Sequence, residues 1–143
     1  MRKWTGGLAL ATLLAAGTWM GSAGMAASGN DIMGKWQSEE NKSVLEMYPC
    51  GDGLCAKIIS IADGQKTDDK NPDPKLRSRP IVGLVIMQGA KRTGPNGWSG
   101  RMYNRADGGT FAGTLTVIDM QTLKLQGCKA VIFCKSVTFK RVK

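Results

Sequence analysis

What most constrains this chain is how it alternates. From residue 43 onward the chain is rich in period-two alternation of apolar and polar side chains, and no stretch carries the spacing of an amphipathic helix. Residues 43–48, 55–61, 98–104, 110–118, 122–126 and 135–142 each read as a short strand, and Gly34 and Trp36 fall on a further one at the start. Within 110–118, Phe111, Leu115 and Val117 share one face while Thr114 and Thr116 share the other. Turn chemistry separates the runs: Asp52-Gly53 between two cysteines, Asp107-Gly108-Gly109, and residues near Asp119 and Gly127. About seven or eight antiparallel strands at this spacing predict an all-β fold, a small barrel or sandwich.

The N-terminus follows another logic. Met1-Arg2-Lys3 is basic, residues 8–20 are apolar, and Gly24-Met25-Ala26 offers a small-x-small cleavage site. That is the layout of a secretory signal peptide. The expectation is a cleaved leader over residues 1–26 and one domain over 27–143. It places the mature protein in the periplasm, with no transmembrane segment. Loss of Arg2 and Lys3 leaves 18 basic against 11 acidic residues, so the net charge falls from +9 to +7.

Composition removes whole classes of chemistry. The chain has no histidine, which rules out Ser-His-Asp and Cys-His catalysis and the commonest zinc sites. Its four cysteines, Cys50, Cys55, Cys128 and Cys134, all follow the leader. An even count in an oxidising compartment reads as two disulfides. Each of the pairs 50/55 and 128/134 flanks a short turn-compatible segment, so those pairings are expected. Neither a metal site nor a cofactor is expected. The basic residues are scattered with few interleaved aromatics, which argues against nucleic acid.

One stretch breaks the alternation. Residues 63–80 are polar and interrupted by prolines, unfit for a central strand. A loop this long in a small domain is functional or disordered, and its Asx-Pro steps favour a fixed path.

The same region carries a resemblance. The run Asn71-Pro-Asp-Pro-Lys-Leu-Arg-Ser-Arg-Pro-Ile-Val-Gly83 resembles an exported bacterial family catalogued as domain of unknown function 2147. Four further segments match in order: Gly34-Lys-Trp36, Tyr48-Pro-Cys-Gly-Asp-Gly-Leu-Cys55, Gly97-Trp-Ser-Gly-Arg-Met-Tyr103 followed by Asp107-Gly108, and Leu123-Lys-Leu-Gln-Gly-Cys128. The resemblance implies a lipocalin-like (calycin) β-barrel and export to the periplasm. It implies no activity. Gly34-x-Trp36 is also similar to the lipocalin signature, in which the tryptophan plugs the closed end of the barrel beneath an arginine of the last strand. Here Val137, Phe139 and Arg141 share one face of the final strand, so Gly34, Trp36 and Arg141 are expected to build that end, with guanidinium on indole.

Candidate ligand-binding residues come from the loop and the aromatics. Arg77 and Arg79 offer either a clamp for a carboxylate or phosphate or, by pairing with Asp68, Asp69 and Asp73, a pin for the loop itself. Asn71 and Asp73 belong to the same segment, which is expected to cross one mouth of the barrel with Arg79 facing the ligand. Trp98 and Tyr103 fall on opposite faces, and Trp98 reads equally as rim anchor or core filler. With no catalytic constellation, two functions remain. One is a non-catalytic binding module for a small anionic or amphipathic molecule of the envelope. The other is a structural or interaction protein with a solid core. The volume of the lumen separates them.

Overall fold

The computed structural model describes residues 32–130 and 132–143. The expected leader and its cleavage site lie outside the described residues. Eight strands run in order: β1 Gly34–Ser38, β2 Val44–Cys50, β3 Gly53–Ser60, β4 Val85–Gly94, β5 Gly97–Asn104, β6 Gly109–Asp119, β7 Thr122–Lys129 and β8 Phe133–Val142. Each pairs antiparallel with the next, and β8 returns to β1, closing the barrel. Closure removes both sheet edges, which is how a small all-β chain avoids pairing with its neighbours.

The alternation sets which side chains fill the interior. Trp36, Leu45, Met47, Ile58, Met102, Leu115, Val117, Leu123, Leu125 and Phe139 are all buried in one cluster, and the polar residues between them face out. Most strand bounds differ from the expectation by one to three residues, and β4 is a strand that the alternation did not predict. Strand β7 continues through Gly127 to Lys129, and β8 begins at Phe133, not Lys135. Gly127 is no turn, because its bare α-carbon receives the ring of Phe111: a Cβ there would stand 2.3 Å from a ring carbon.

The connections make the two ends unequal. At one end β2–β3, β4–β5 and β6–β7 are joined by two-residue turns. The other end carries the β1–β2 and β5–β6 turns, the β7–β8 tip, and the long 61–84 connection. That connection holds no strand, only a bridge between Thr67 and Pro80 and one 3-10 turn at Pro74–Leu76. Asp73 caps the turn by accepting a hydrogen bond from the Lys75 amide at 3.0 Å.

The tight end is plugged. Trp36 is fully buried and its Nε1 donates to the Ile32 carbonyl at 2.8 Å. The Arg141 guanidinium lies 4.2 Å from the indole centroid. It also donates to the Met33 carbonyl at 2.8 Å and to the Met120 carbonyl at 2.7 Å. Gly34, at φ 111°, makes room: a Cβ there would come within 3.2 Å of Nη1.

Disulfides join Cys50 to Cys55 across the β2–β3 hairpin and Cys128 to Cys134, which face each other on β7 and β8. Closed disulfides fit an oxidising compartment. Among the described residues, no helix is long and apolar enough to cross a membrane.

Candidate functional site

Packing fills the plugged half of the barrel and leaves the other half open. There the lumen holds a cavity of about 470 Å³. Its wall is apolar, with Leu45, Ile58, Met102, Phe111, Leu125 and Phe139 prominent. These are inward-facing residues of six strands, β2, β3 and β5 to β8, so the wall follows directly from the alternation. Glycines face one another across three strands beside it, Gly100 opposite Gly113 and Gly113 opposite Gly127. They let Met102, Leu125 and Phe111 lie close to neighbouring backbone: Cβ atoms at Gly113 and Gly127 would each meet one or more of these side chains.

Charge enters only at the mouth. Arg105, in the β5–β6 turn, is 7% exposed and lines the cavity. Its guanidinium joins three elements. Nη2 donates to Ser43 Oγ at 3.1 Å and Asp63 Oδ2 at 2.5 Å, while Nη1 donates to Asp63 Oδ1 at 3.3 Å and to Gln65 Oε1. Arg105 holds the Asp63 carboxyl below its ordinary pKa, chiefly by this hydrogen bonding. Lys129 pairs with Asp107, and Lys135 with Glu40 at 3.0 Å. Asp107 is likewise lowered, first by its hydrogen bond from Lys129. The cavity therefore has an apolar floor and a rim of hydrogen-bonding groups, where Arg105, Lys129 and Lys135 outnumber Glu40 and Asp107.

The long connection is anchored beside this mouth through a buried carboxylate. Asp68 is fully buried and accepts from Tyr103 OH at 2.6 Å, Asn71 Nδ2 at 2.8 Å, and Arg79 Nε and Nη2, each at 2.8 Å. Burial alone would raise its pKa, but Tyr103, Asn71 and Arg79 together hold it below the ordinary value. The Tyr103 phenol is raised in turn, by its burial and by Asp68. Arg77 donates to the Asn71 carbonyl at 2.8 Å. Gly108, at φ 73°, accepts the close approach of the loop: a Cβ there would stand 1.9 Å from the Lys70 carbonyl oxygen.

These contacts move the expected binding set. Of Asn71, Asp73, Arg77, Arg79, Trp98 and Tyr103, Tyr103 alone lines the cavity. Arg77, Arg79, Asn71 and Asp73 make their contacts within the loop or on Tyr103, and Arg79 lies on Asp68 outside the cavity wall. The reason is Asp68, whose buried charge needs a cation more than the lumen does. Trp98 is core, paired with Leu115 in the ladder. Arg105 is the arginine that the sequence reading missed. Its partners lie 40 to 62 residues away in the chain, and strand parity says nothing about a residue in a turn.

The family described as "Uncharacterized protein conserved in bacteria (DUF2147)" matches over residues 34–141. No curated protein matches the chain. Among solved structures, it is similar to protein HP1028 of Helicobacter pylori, described as belonging to the lipocalin family. The two are 28% identical with a TM-score of 0.70, over 78% of this chain and 83% of that one. A redesigned β-barrel is 13% identical with a TM-score of 0.50, over 83% of this chain and 97% of that one, a likeness of fold alone.

Proposed function

Because the chain belongs to DUF2147, an uncharacterized bacterial family, and folds as a lipocalin-like barrel, its role must be read from its cavity, and we propose a non-catalytic binding module for a small amphipathic molecule. One observation carries this reading. The cavity of about 470 Å³ is apolar in its depth and polar at its rim, and it falls in the size range of small-molecule sites, about 300–1,000 Å³. A barrel serving only as an envelope scaffold would have no reason to leave that volume unfilled. The apolar body of the ligand packs against Phe111, Leu125 and Phe139. Its polar or anionic end meets Arg105 and Ser43.

The experiment is displacement of a fluorescent fatty acid, and of the matching fatty alcohol, from wild type and two variants. Gly127→Val forces the Phe111 ring into the lumen and is expected to weaken both probes about tenfold or more. Arg105→Gln is expected to weaken the carboxylate probe about tenfold more than the alcohol, since only the former gains a charge-assisted hydrogen bond. Absence of binding by wild type, or equal losses for both probes in Arg105→Gln, would sink the reading or its anionic part respectively.

We also propose export to the periplasm through a leader cleaved near Ala26, supported by the basic start, the apolar run and two closed disulfides. The intact mass of protein recovered from the periplasm is expected to begin within a few residues of Ala27. A mass that still includes Met1 would refute cleavage.

A further inference from the structure

The most exposed large apolar side chains among the described residues sit side by side at the tip of the β7–β8 hairpin. Ile132 is 80% exposed and Phe133 71%. Water contact of this extent is costly for two adjacent large apolar groups, and it marks a surface that meets something else. The tip is fixed from below: Cys128 and Cys134 are bonded across the hairpin, and Phe133 pairs with Lys129 in the ladder.

Charge distinguishes this hairpin from the rest of the barrel. From Met120 to Lys143 there are six basic residues, Lys124, Lys129, Lys135, Lys140, Arg141 and Lys143, and not one acidic residue. Lys124 and Lys140 lie on strand positions that alternate with the buried Leu123, Leu125 and Phe139, so they face outward. Lys129 and Lys135 flank the tip and are more than half exposed even within their ion pairs. Phe133 and both of these lysines also line the cavity mouth. An apolar tip, two flanking lysines and a ligand opening thus share one element, while Lys124, Lys140 and Arg141 lie toward the plugged end.

The geometry points to an anionic lipid bilayer as the partner of this hairpin, with Ile132 and Phe133 inserted at headgroup depth and the cavity mouth brought to the membrane surface. Two side chains are far too little for a protein interface, which buries about 800 Å² on each partner. At a bilayer each inserted side chain counts by itself, and flanking lysines add attraction to anionic headgroups. Nucleic acid would engage the lysines but leave the apolar tip in water. Transfer of a ligand between bilayer and lumen rests on the cavity reading above, whereas docking of the tip does not.

The test is co-sedimentation with vesicles of phosphatidylcholine and phosphatidylglycerol, and with phosphatidylcholine alone. Wild type is compared with Ile132→Ser/Phe133→Ser and with a control pair at the plugged end, Ile118→Ser/Met120→Ser, whose side chains are also exposed. The variants share every other residue, so any other lipid-binding segment cancels. Wild type is expected to favour the anionic vesicles and to release them as salt is raised. The tip variant is expected to bind about tenfold more weakly or less, in keeping with two lost apolar insertions, while the control pair binds as wild type does. Melting temperatures of both variants are expected to match wild type, because no buried contact is removed. Three results would overturn docking: no vesicle binding by wild type, equal loss in both variants, or a concentration-dependent dimer that the tip variant abolishes. A protein that takes up no cavity probe but still binds vesicles through its tip upholds docking and sinks only the cavity reading.

Discussion

Trp36→Ala is expected to destabilise the barrel by about 3–5 kcal/mol, as truncation of a fully buried aromatic residue does. Trp36 is 0% exposed, donates to the Ile32 carbonyl, and carries the Arg141 guanidinium on its ring. Its removal opens a cavity at the plugged end and takes away the surface on which Arg141 is stacked. Arg141→Ala acts on the other side of the same contact. It loses the stacking, about 0.5–2 kcal/mol, and leaves the Met33 and Met120 carbonyls without this donor. The expected cost is about 2–3 kcal/mol, against about 0.5 or less for Lys143→Ala, an exposed residue at the chain end. Arg141→Lys is expected to restore little, because an ammonium lacks the planar fork that reaches two carbonyls while lying on a ring. Urea unfolding of the four variants checks this. Equal midpoints for Arg141→Ala and Lys143→Ala would refute the plug.

The plugged end was readable because the resemblance of Gly34-x-Trp36 to the lipocalin signature pointed to the tryptophan and parity turned Arg141 inward. Arg141 follows Val137 and Phe139 at intervals of two, so one face of β8 places all three, and the ladder sets Arg141 opposite Trp36. Strand β4 was not readable for the converse reason. Its buried residues Met87 and Ala90 are three apart, with Gly89 at φ 68° between them and register shifts against both neighbours. An extra residue in one strand erases the period of two that reveals a strand. Of the cavity wall, alternation showed only the faces that carry Phe111 and Phe139, and it did not show the volume. That volume depends on which glycines oppose one another across β5, β6 and β7, a matter of register. The mouth was the least legible part. Arg79 and Arg105 are both arginines near aspartates, and the choice between loop anchor and cavity residue depends on contacts made 11 residues apart in one case and 42 in the other. Asp68 and Asp69 are adjacent and chemically alike, but one is fully buried and the other is exposed.

Asp68→Ala is expected to release the 61–84 connection and to cost about 3 kcal/mol, the lower end for breaking a buried ion pair. The lower end applies because Arg79 is 35% exposed and can regain water, whereas Tyr103 and Asn71 lose an acceptor within the fold. Asp68→Asn tests charge at constant shape. It keeps one acceptor oxygen but sets an amide against the donors of Arg79 and Tyr103, so it is expected to lose most of the same stability. The pH dependence has a definite sign. The carboxyl is ionised in the fold with a pKa below its unfolded value of 3.8. Its contribution is therefore fully present above that value and disappears as the pH falls from 3.8 through the lower folded one. Tyr103 works in the opposite direction: its folded pKa lies above 10.0, so its share is present below pH 10.0 and is lost as the pH rises through the folded value. Wild type is expected to show a stability plateau between these limits, and Asp68→Asn a shallower acid limb. Hydrogen exchange supplies the local readout, with amides of Asp68, Asn71, Arg79 and Ile81, all bonded within the loop, exchanging faster in the variant than those of β6 and β7. Arg79→Ala is expected to lower the melting temperature while leaving the affinity for the cavity probe unchanged, since Arg79 serves Asp68 and not the lumen. Probe binding lost in Arg79→Ala with stability retained would return that arginine to the mouth and overturn the assignment of Arg105.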